Sequence, residues 1–433
     1  MNRTFCILAV TVWCFGFAAA APSRAEGPEA FRERLNEMVA IALEQNPKLQ
    51  EAQKRIEANR EITPQVGSLD DPILQFGLMS LPMDTFAFDE WDMTQKLITL
   101  SQKFPFPGKL GLREDIAEKN VHVTEQAYEA LRLDVKRRVK ESFFELCFIL
   151  SAIETTRENK TLLEQFVTIT ETKYSVGKGL QQDVLKAQVE LTKIMDELIR
   201  LDRRRETEQA RLNTLMNRLP QAPLSIPHGL KRTELSLSLE GLQEQALAHN
   251  PSLKGLQILK ERFQIAEALA KRQYYPDFNI GVRYGQRDDG LVKERPDFVS
   301  AFVGVNIPIW HKTKQSRKVA EERVHIAQVQ ESYFDRRNQI YLKIKELMDE
   351  QRRTSETLEL IDQGILPQAR QSLEAALTGY SVDKVDFLTL LDNQVTLFKW
   401  EIKYHEELAR HEKVLAALEQ VVGVDLFQNN PTH

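Results

Sequence analysis

Asp277-Phe278-Asn279-Ile280-Gly281-Val282-Arg283-Tyr284-Gly285-Gln286-Arg287 is the stretch that decides the fold. Phe278, Ile280, Val282 and Tyr284 alternate with Asn279, Gly281, Arg283 and Gly285, the period of a β-strand with one greasy face and one polar or tiny face. A second run, Val299 to Ile307, alternates less cleanly, and a polar loop of about Asp288–Pro296 joins the two. Roughly ten residues per strand, apolar outward and polar inward, is the signature of an outer-membrane barrel strand. In that reading Phe278, Ile280, Val282 and Tyr284 face lipid, Asn279, Arg283 and Arg287 face a lumen, and Tyr284, Trp310 and Phe302 are candidates for the aromatic girdles. A soluble antiparallel sheet would show the same alternation, so the rest of the chain has to choose.

Working outward, the hairpin has a twin. Ile73 to Leu81 and Lys96 to Phe104, joined by Pro82–Gln95, hold the matching places in the first half. The duplication runs through the chain. Ala42-Leu43-Glu44-Gln45-Asn46-Pro47 returns as Ala246-Leu247-Ala248-His249-Asn250-Pro251, Phe104-Pro105-Phe106 as Ile307-Pro308-Ile309, and Tyr174-Ser175-Val176 as Tyr380-Ser381-Val382, at offsets of 204, 203 and 206. Three landmarks in register argue for two copies of one structural unit.

Outside the strands the period is helical. Lys109 to Val176 holds no proline and one glycine, enough for a helix of ~100 Å. After a turn at Gly177, a second helix runs from about Asp183 to Arg218, with a 3–4 spaced seam at Leu191, Ile194, Leu198 and Leu201. His311 to Gly379 repeats the first of these, with Gly364 and Pro367 expected to kink it, and Asp386 to Val422 repeats the second. A shorter helix opens each half, about Pro28–Ile62 and Leu239–Gln273. The expected fold class is mainly α with a small β part: a long α-helical coiled-coil barrel plus four strands per chain. The domain plan is a signal peptide over 1–25, a first repeat over 26–220 with its tip near 177–182, a linker over 221–238, a second repeat over 239–422 with its tip near 383–385, and a tail over 423–433.

Composition narrows the function. Arg3, the apolar Phe5–Phe17 and the small residues Ala18–Ala21 and Ser23-Arg24-Ala25 read as an export signal. Its removal takes Cys6 and Cys14 and leaves Cys147 alone, so no internal disulfide is expected. The formal charge of −5 becomes −7 when Arg3 and Arg24 leave without any acidic residue, which argues against a nucleic-acid partner. No phosphate loop, zinc spacing or nucleophile motif appears, and the eight histidines do not cluster; Met79, Met83 and Met93, near Asp84, Asp89, Glu90 and Asp92, could suggest a copper-handling loop but read better as barrel rim, so no enzyme, cofactor or metal site is expected. Four strands cannot close a barrel of about eight or more, so several chains would have to contribute.

These residues resemble the outer-membrane efflux proteins, the TolC-like exit ducts, over essentially the whole mature chain. Tyr174-Ser175-Val176-Gly177-Lys178-Gly179-Leu180-Gln181-Gln182-Asp183-Val184-Leu185-Lys186-Ala187-Gln188 resembles the family's tip motif, with a second copy from Tyr380 through Asp386 to Asp392. Pro105-Phe106, Pro308-Ile309 and the two Asn-Pro pairs match further family features. The resemblance implies a homotrimer with a twelve-stranded barrel in outer-membrane lipid, a helical tunnel across the periplasm, and tips that meet a periplasmic adaptor and an inner-membrane pump. It also implies a closed tip held by an acid on the first hairpin, Asp183, and by Tyr380 and Lys384 on the second. Asp183 could equally be a plain helix N-cap. Gly177 and Gly179 would serve the turn, and Lys178, Gln181 and Gln182 would be open to the adaptor. The second tip departs from the pattern: Asp383 stands where the family has glycine, and the tip is three residues shorter. That short tip and Phe104-Pro105-Phe106-Pro107-Gly108 look most like the heavy-metal cation branch, with drug efflux and type I protein secretion as the other ducts. The reading from a different class is a periplasmic coiled-coil adaptor or scaffold, which has no reason to alternate grease with polar residues at Phe278–Arg287.

Overall fold

The computed structural model describes residues 28–227, 229–290 and 293–426. The expected signal segment over 1–25 and the end of the expected C-terminal tail lie outside the described residues.

Each repeat opens with two helices rather than the single one expected: α1 (Pro28–Gln45) and α2 (Pro47–Gly67), then α5 (Leu239–His249) and α6 (Pro251–Arg272). The break is the Asn-Pro pair. Proline suits the first helical position, and the preceding Asn takes extended backbone and caps it. Asn46 Oδ1 accepts from Lys48 N at 3.0 Å, and Asn250 Oδ1 accepts from Ser252 N at 2.9 Å. Both side chains also reach across the molecule. Asn46 Nδ2 donates to Leu215 O at 2.8 Å and Asn250 Nδ2 to Val421 O at 2.7 Å. One buried asparagine thus starts a helix and satisfies the last turn of another, answering orphan groups at both ends.

The other helices, in chain order, are α3 (Lys109–Ser175), α4 (Gln181–Leu215), α7 (Gln315–Glu359), α8 (Leu366–Ser381) and α9 (Phe387–Val422). Between α7 and α8 a π-helical turn spans Leu360–Ile365. Pro367 cannot donate to Gln363 O, and its ring crowds that carbonyl, so the backbone widens by a residue instead of ending.

The strands β1 (Ile73–Met79), β2 (Gln95–Phe104), β3 (Phe278–Gln286) and β4 (Phe298–Val305) make one antiparallel sheet in sequence order. The two hairpins join through β2 and β3, with Phe104 opposite Phe278 and Lys96 opposite Gln286. β1 and β4 are therefore free edges. Below the sheet α2, α3, α6 and α7 lie side by side; further along, the order is α4, α3, α9 and then α7 with α8. The Asn46 and Asn250 bridges stack α2 on α4 and α6 on α9.

Apolar contacts pack the helices along their whole length. One cluster gathers Phe31, Met38, Val139, Phe143 and Leu212; another holds Leu253, Ile344, Leu415 and Leu418; a third, near the tips, holds Phe166, Ile194, Phe387 and Leu390. Cys147 is buried in the first of these and unpaired, so packing holds this structure together.

Candidate functional site

Two places carry the chemistry: the sheet and the hairpin tips. Register puts Phe278, Ile280, Val282 and Tyr284 on one face, beside Ile98, Leu100 and Phe104 of β2 and Val299, Val303 and Val305 of β4. Leu74, Phe76 and Leu78 of β1 extend the same face. It is open along its whole width, with Phe76 75% and Val299 73% exposed. A contiguous apolar surface of this kind does not remain in water on a monomer. Such a face suits lipid, where a Lys or Arg at bilayer mid-depth would cost about 2–4 kcal/mol.

The opposite face carries Asn279 and Arg283 with Thr99, Ser101, Gly281 and Gly285. Arg283 Nε donates to Thr99 Oγ1 at 3.2 Å. A Cβ on Gly281 would stand 2.3 Å from Phe302 Cζ, so glycine is what lets that ring lie flat on the strand. This corrects the girdle expectation for Phe302, which shares the polar face with Gly281 and Arg283. Arg287 lies just past β3 and ties loops together: it donates to Pro296 O at 2.6 Å and Asp92 O at 3.2 Å, and lies over the Phe298 ring. Tyr284, whose hydroxyl donates to Asp297, sits at the loop end of the sheet, and Trp310 lies 73% exposed at the helical end.

At the far end, α3 stops at a left-handed glycine. Gly177 has φ +74°, and the Lys178 and Gly179 N–H groups both donate to Lys173 O. A Cβ on Gly179 would come within 3.0 Å of Tyr174 N. In the second tip Asp383 adopts φ +60°, the conformation that glycine holds in the first. Its carboxylate receives Lys173 Nζ at 2.5 Å, and the same ammonium donates to Tyr380 O at 2.6 Å and lies 4.1 Å from the Tyr380 ring centroid. Lys173 thus ties the two tip turns together. Sequence reading missed it, because a lysine in a last helical turn looks like an ordinary dipole complement.

Asp183, Tyr380 and Lys384 do line one cleft between the tips, with Lys173, Gly179 and Asp383. Asp183 is not an N-cap: Leu180 holds that position, and Asp183 sits in the first turn of α4. Burial raises its pKa, a hydrogen bond from Leu180 N–H works against that, and the charge of Asp386 adds to it. Asp386 is the cap of α9, accepting from Thr389 N at 2.8 Å. Tyr380 is raised by burial and then by the charges of Asp183 and Asp383. Lys178, Gln181 and Gln182 are exposed at the first tip, beside the bare apolar side chains of Val176, Leu180 and Val382.

A four-stranded sheet with a bare apolar face and two free edges, standing on helices of up to 67 residues, is one segment of a channel wall. The comparisons agree. The family model for outer membrane efflux protein matches residues 38–218. The cobalt-zinc-cadmium resistance protein CzcC of Cupriavidus metallidurans is 21% identical over 317 residues, 73% of this chain and 74% of that protein. The outer membrane protein VceC of Vibrio cholerae superposes with a TM-score of 0.76 at 17% identity, covering 93% of this chain and all of VceC. CusC superposes with a TM-score of 0.75 at 14% identity, covering 91% of this chain and 92% of CusC. Over residues 38–218 the chain is similar to the outer membrane efflux proteins, and over nearly its whole length it shares the fold of solved outer-membrane channels.

Proposed function

We propose that three copies of this chain form one exit duct of a tripartite efflux system, passively conducting solute delivered by an inner-membrane pump and a periplasmic adaptor to the outside. The observation that carries this reading is the sheet: four strands, free edges at β1 and β4, and one mainly apolar face, on which Lys96 and Gln102 of β2 also lie. Free edges must be paired or covered, and closing a sheet into a barrel is the complete solution. Three chains supply twelve strands, an ordinary outer-membrane barrel size. The helices, none of them apolar enough to cross a membrane, then continue the wall through the periplasm. The tips with Lys178, Gln181 and Gln182 meet the adaptor there, and Asp183, Tyr380 and Lys384 belong to the constriction.

The solute we propose is a heavy-metal cation, on the strength of the likeness to CzcC and of the short second tip. The duct itself carries no selectivity for it, since the pump selects.

Cell fractionation with semi-denaturing electrophoresis tests the assembly. The protein is expected in the outer membrane as a band that moves from trimer to monomer on boiling. Recovery as a soluble periplasmic monomer would sink the proposal and restore the coiled-coil scaffold. Deletion of the gene followed by growth on cobalt, zinc or cadmium tests the solute: unchanged metal tolerance beside lost drug tolerance would reassign it.

A further inference from the structure

The linker between the repeats closes a cavity of about 270 Å³ against α1, α3 and α9. Local chemistry sets its course. Gly229, at φ +103°, turns the chain through a conformation that side chains rarely adopt. Thr233 then pins the chain to α9: its N–H and hydroxyl donate to Glu412, and its carbonyl lies 2.9 Å from His411 Nε2. The inner walls are apolar, from Phe31 and Leu35 of α1, Phe144 of α3, Leu230 of the linker and Ala416 of α9. The volume falls just below the ~300–1,000 Å³ of ordinary ligand sites, so the chamber suits a small molecule.

The charges around the chamber do not balance. Lys140, buried on α3, is held by Glu419, and Asp425 is held by Lys136 at 2.6 Å. Glu412 already accepts both Thr233 bonds. Arg32, Lys231 and Arg232 line the same cavity, are exposed, and have no ion-pair or hydrogen-bond partner among the described residues. Both guanidinium groups lie near α9. The charge of Arg32 is felt at Glu412, behind burial, the Thr233 bonds and Lys140, and that of Arg232 at His411, behind burial and the Thr233 carbonyl. Three unmatched cations beside an apolar chamber call for an anion with an apolar body. A bare inorganic ion would lose its water against Phe31 and Phe144 and gain nothing there. The planar fork of arginine matches a carboxylate.

We infer that this cavity binds a small organic acid, one per chain, with its carboxylate between Arg32 and Arg232 and its apolar body against Phe31, Leu35, Phe144 and Leu230. The site lies on the helical wall, apart from the sheet and the tips, and does not depend on the assembly proposed above. A bound acid bridges the linker to α1 and so ties the junction of the two repeats.

Calorimetric titration of the full-length protein in detergent, with 1-naphthoate and with octanoate, tests it. Saturable binding of at least one of these acids, at one per chain, is expected. Arg32→Gln and Arg232→Gln alter exposed side chains without partners, so both variants should unfold at the unaltered temperature when no acid is present. Each should weaken binding about tenfold, the loss of one charge-assisted bond. The neutral 1-naphthalenemethanol should bind at least about tenfold more weakly than 1-naphthoate for the same reason. Equal binding by the unaltered protein and both variants places the acid in detergent or elsewhere on the chain and overturns the site. Inorganic phosphate binding as tightly as either acid overturns the role of the apolar walls. Absence of saturable heat with both acids overturns the inference as a whole.

Discussion

Among single residues, Asp383 is the one whose backbone is hardest to explain without a partner. A non-glycine residue in the left-handed region is disfavoured by roughly 1–2 kcal/mol, though Asp tolerates it better than most. Here the carboxylate is held by Lys173, and that ammonium, with help from Lys178, lowers its pKa. Asp383→Gly keeps the turn and removes the ion pair, so it isolates the pair from the fold. If Lys173–Asp383 restrains the tips, Asp383→Gly raises single-channel conductance in planar bilayers with unchanged trimer yield; equal conductance makes the pair ornamental. Asp183→Ala is expected to act in the same direction, by emptying one wall of the cleft. The composition of this cleft was readable in the primary structure, since Asp183, Tyr380 and Lys384 fall together as the tip motif implied. Its wiring was not. Lys173 lies some 210 residues from Asp383, and local spacing cannot tell which of three nearby lysines a carboxylate will meet.

At the scale of the element, the Asn-Pro breaks and the strand faces each yield a test. Asn46→Ala should lose an N-cap, typically ~1 kcal/mol, together with the donor to Leu215 O. Asn250→Ala should lose as much through Val421 O. Both variants should melt earlier, and the double variant should approach the sum, because the two bridges share no partner. An unchanged melting temperature in both would remove these bridges from any account of stability. In the sheet, Val282→Arg puts a charge in the middle of the apolar face, at a cost of about 2–4 kcal/mol in lipid, and should strip the protein from the outer membrane. Normal insertion would show that this face meets protein instead. Strands were legible because period two is hard to counterfeit over nine residues, and helices because proline is absent from sixty-eight. The split of each opening helix was missed because Asn-Pro was read as a family mark and not as a cap followed by a first-turn proline. Phe302 was misjudged because a large aromatic ring was read as a girdle residue, although its place in the alternation puts it with Ser300 and Gly304 on the face of Gly281 and Arg283.

Across the whole molecule, the linker between the repeats is held on α9 by a buried acid. Glu412 accepts from Thr233 N at 2.7 Å and from Thr233 Oγ1 at 2.9 Å. Burial nevertheless pushes it up to about 7, with the Thr233 bonds and the charges of Lys140 and Arg32 pulling the other way. The folded chain therefore holds a proton there that the unfolded chain, titrating near 4.5, releases. That contribution is complete below about pH 4.5 and is lost as pH rises through about 7. Thermal stability should fall by several degrees between these limits, and Glu412→Gln should flatten the slope in part, leaving the share of Glu419, which is also raised to about 7. A slope unchanged in Glu412→Gln would clear Glu412 of the effect.

The free edges at β1 and β4 also carry a consequence for heredity. If three copies close one ring as proposed, the ring has no spare position, so a subunit defective at one edge is still recruited through the other and spoils its companions. In a cell making intact and edge-broken copies in equal amounts, random recruitment leaves roughly one ring in eight sound. Edge lesions should therefore behave as dominant alleles, whereas a lesion that prevents folding altogether, and so never enters a ring, should be recessive.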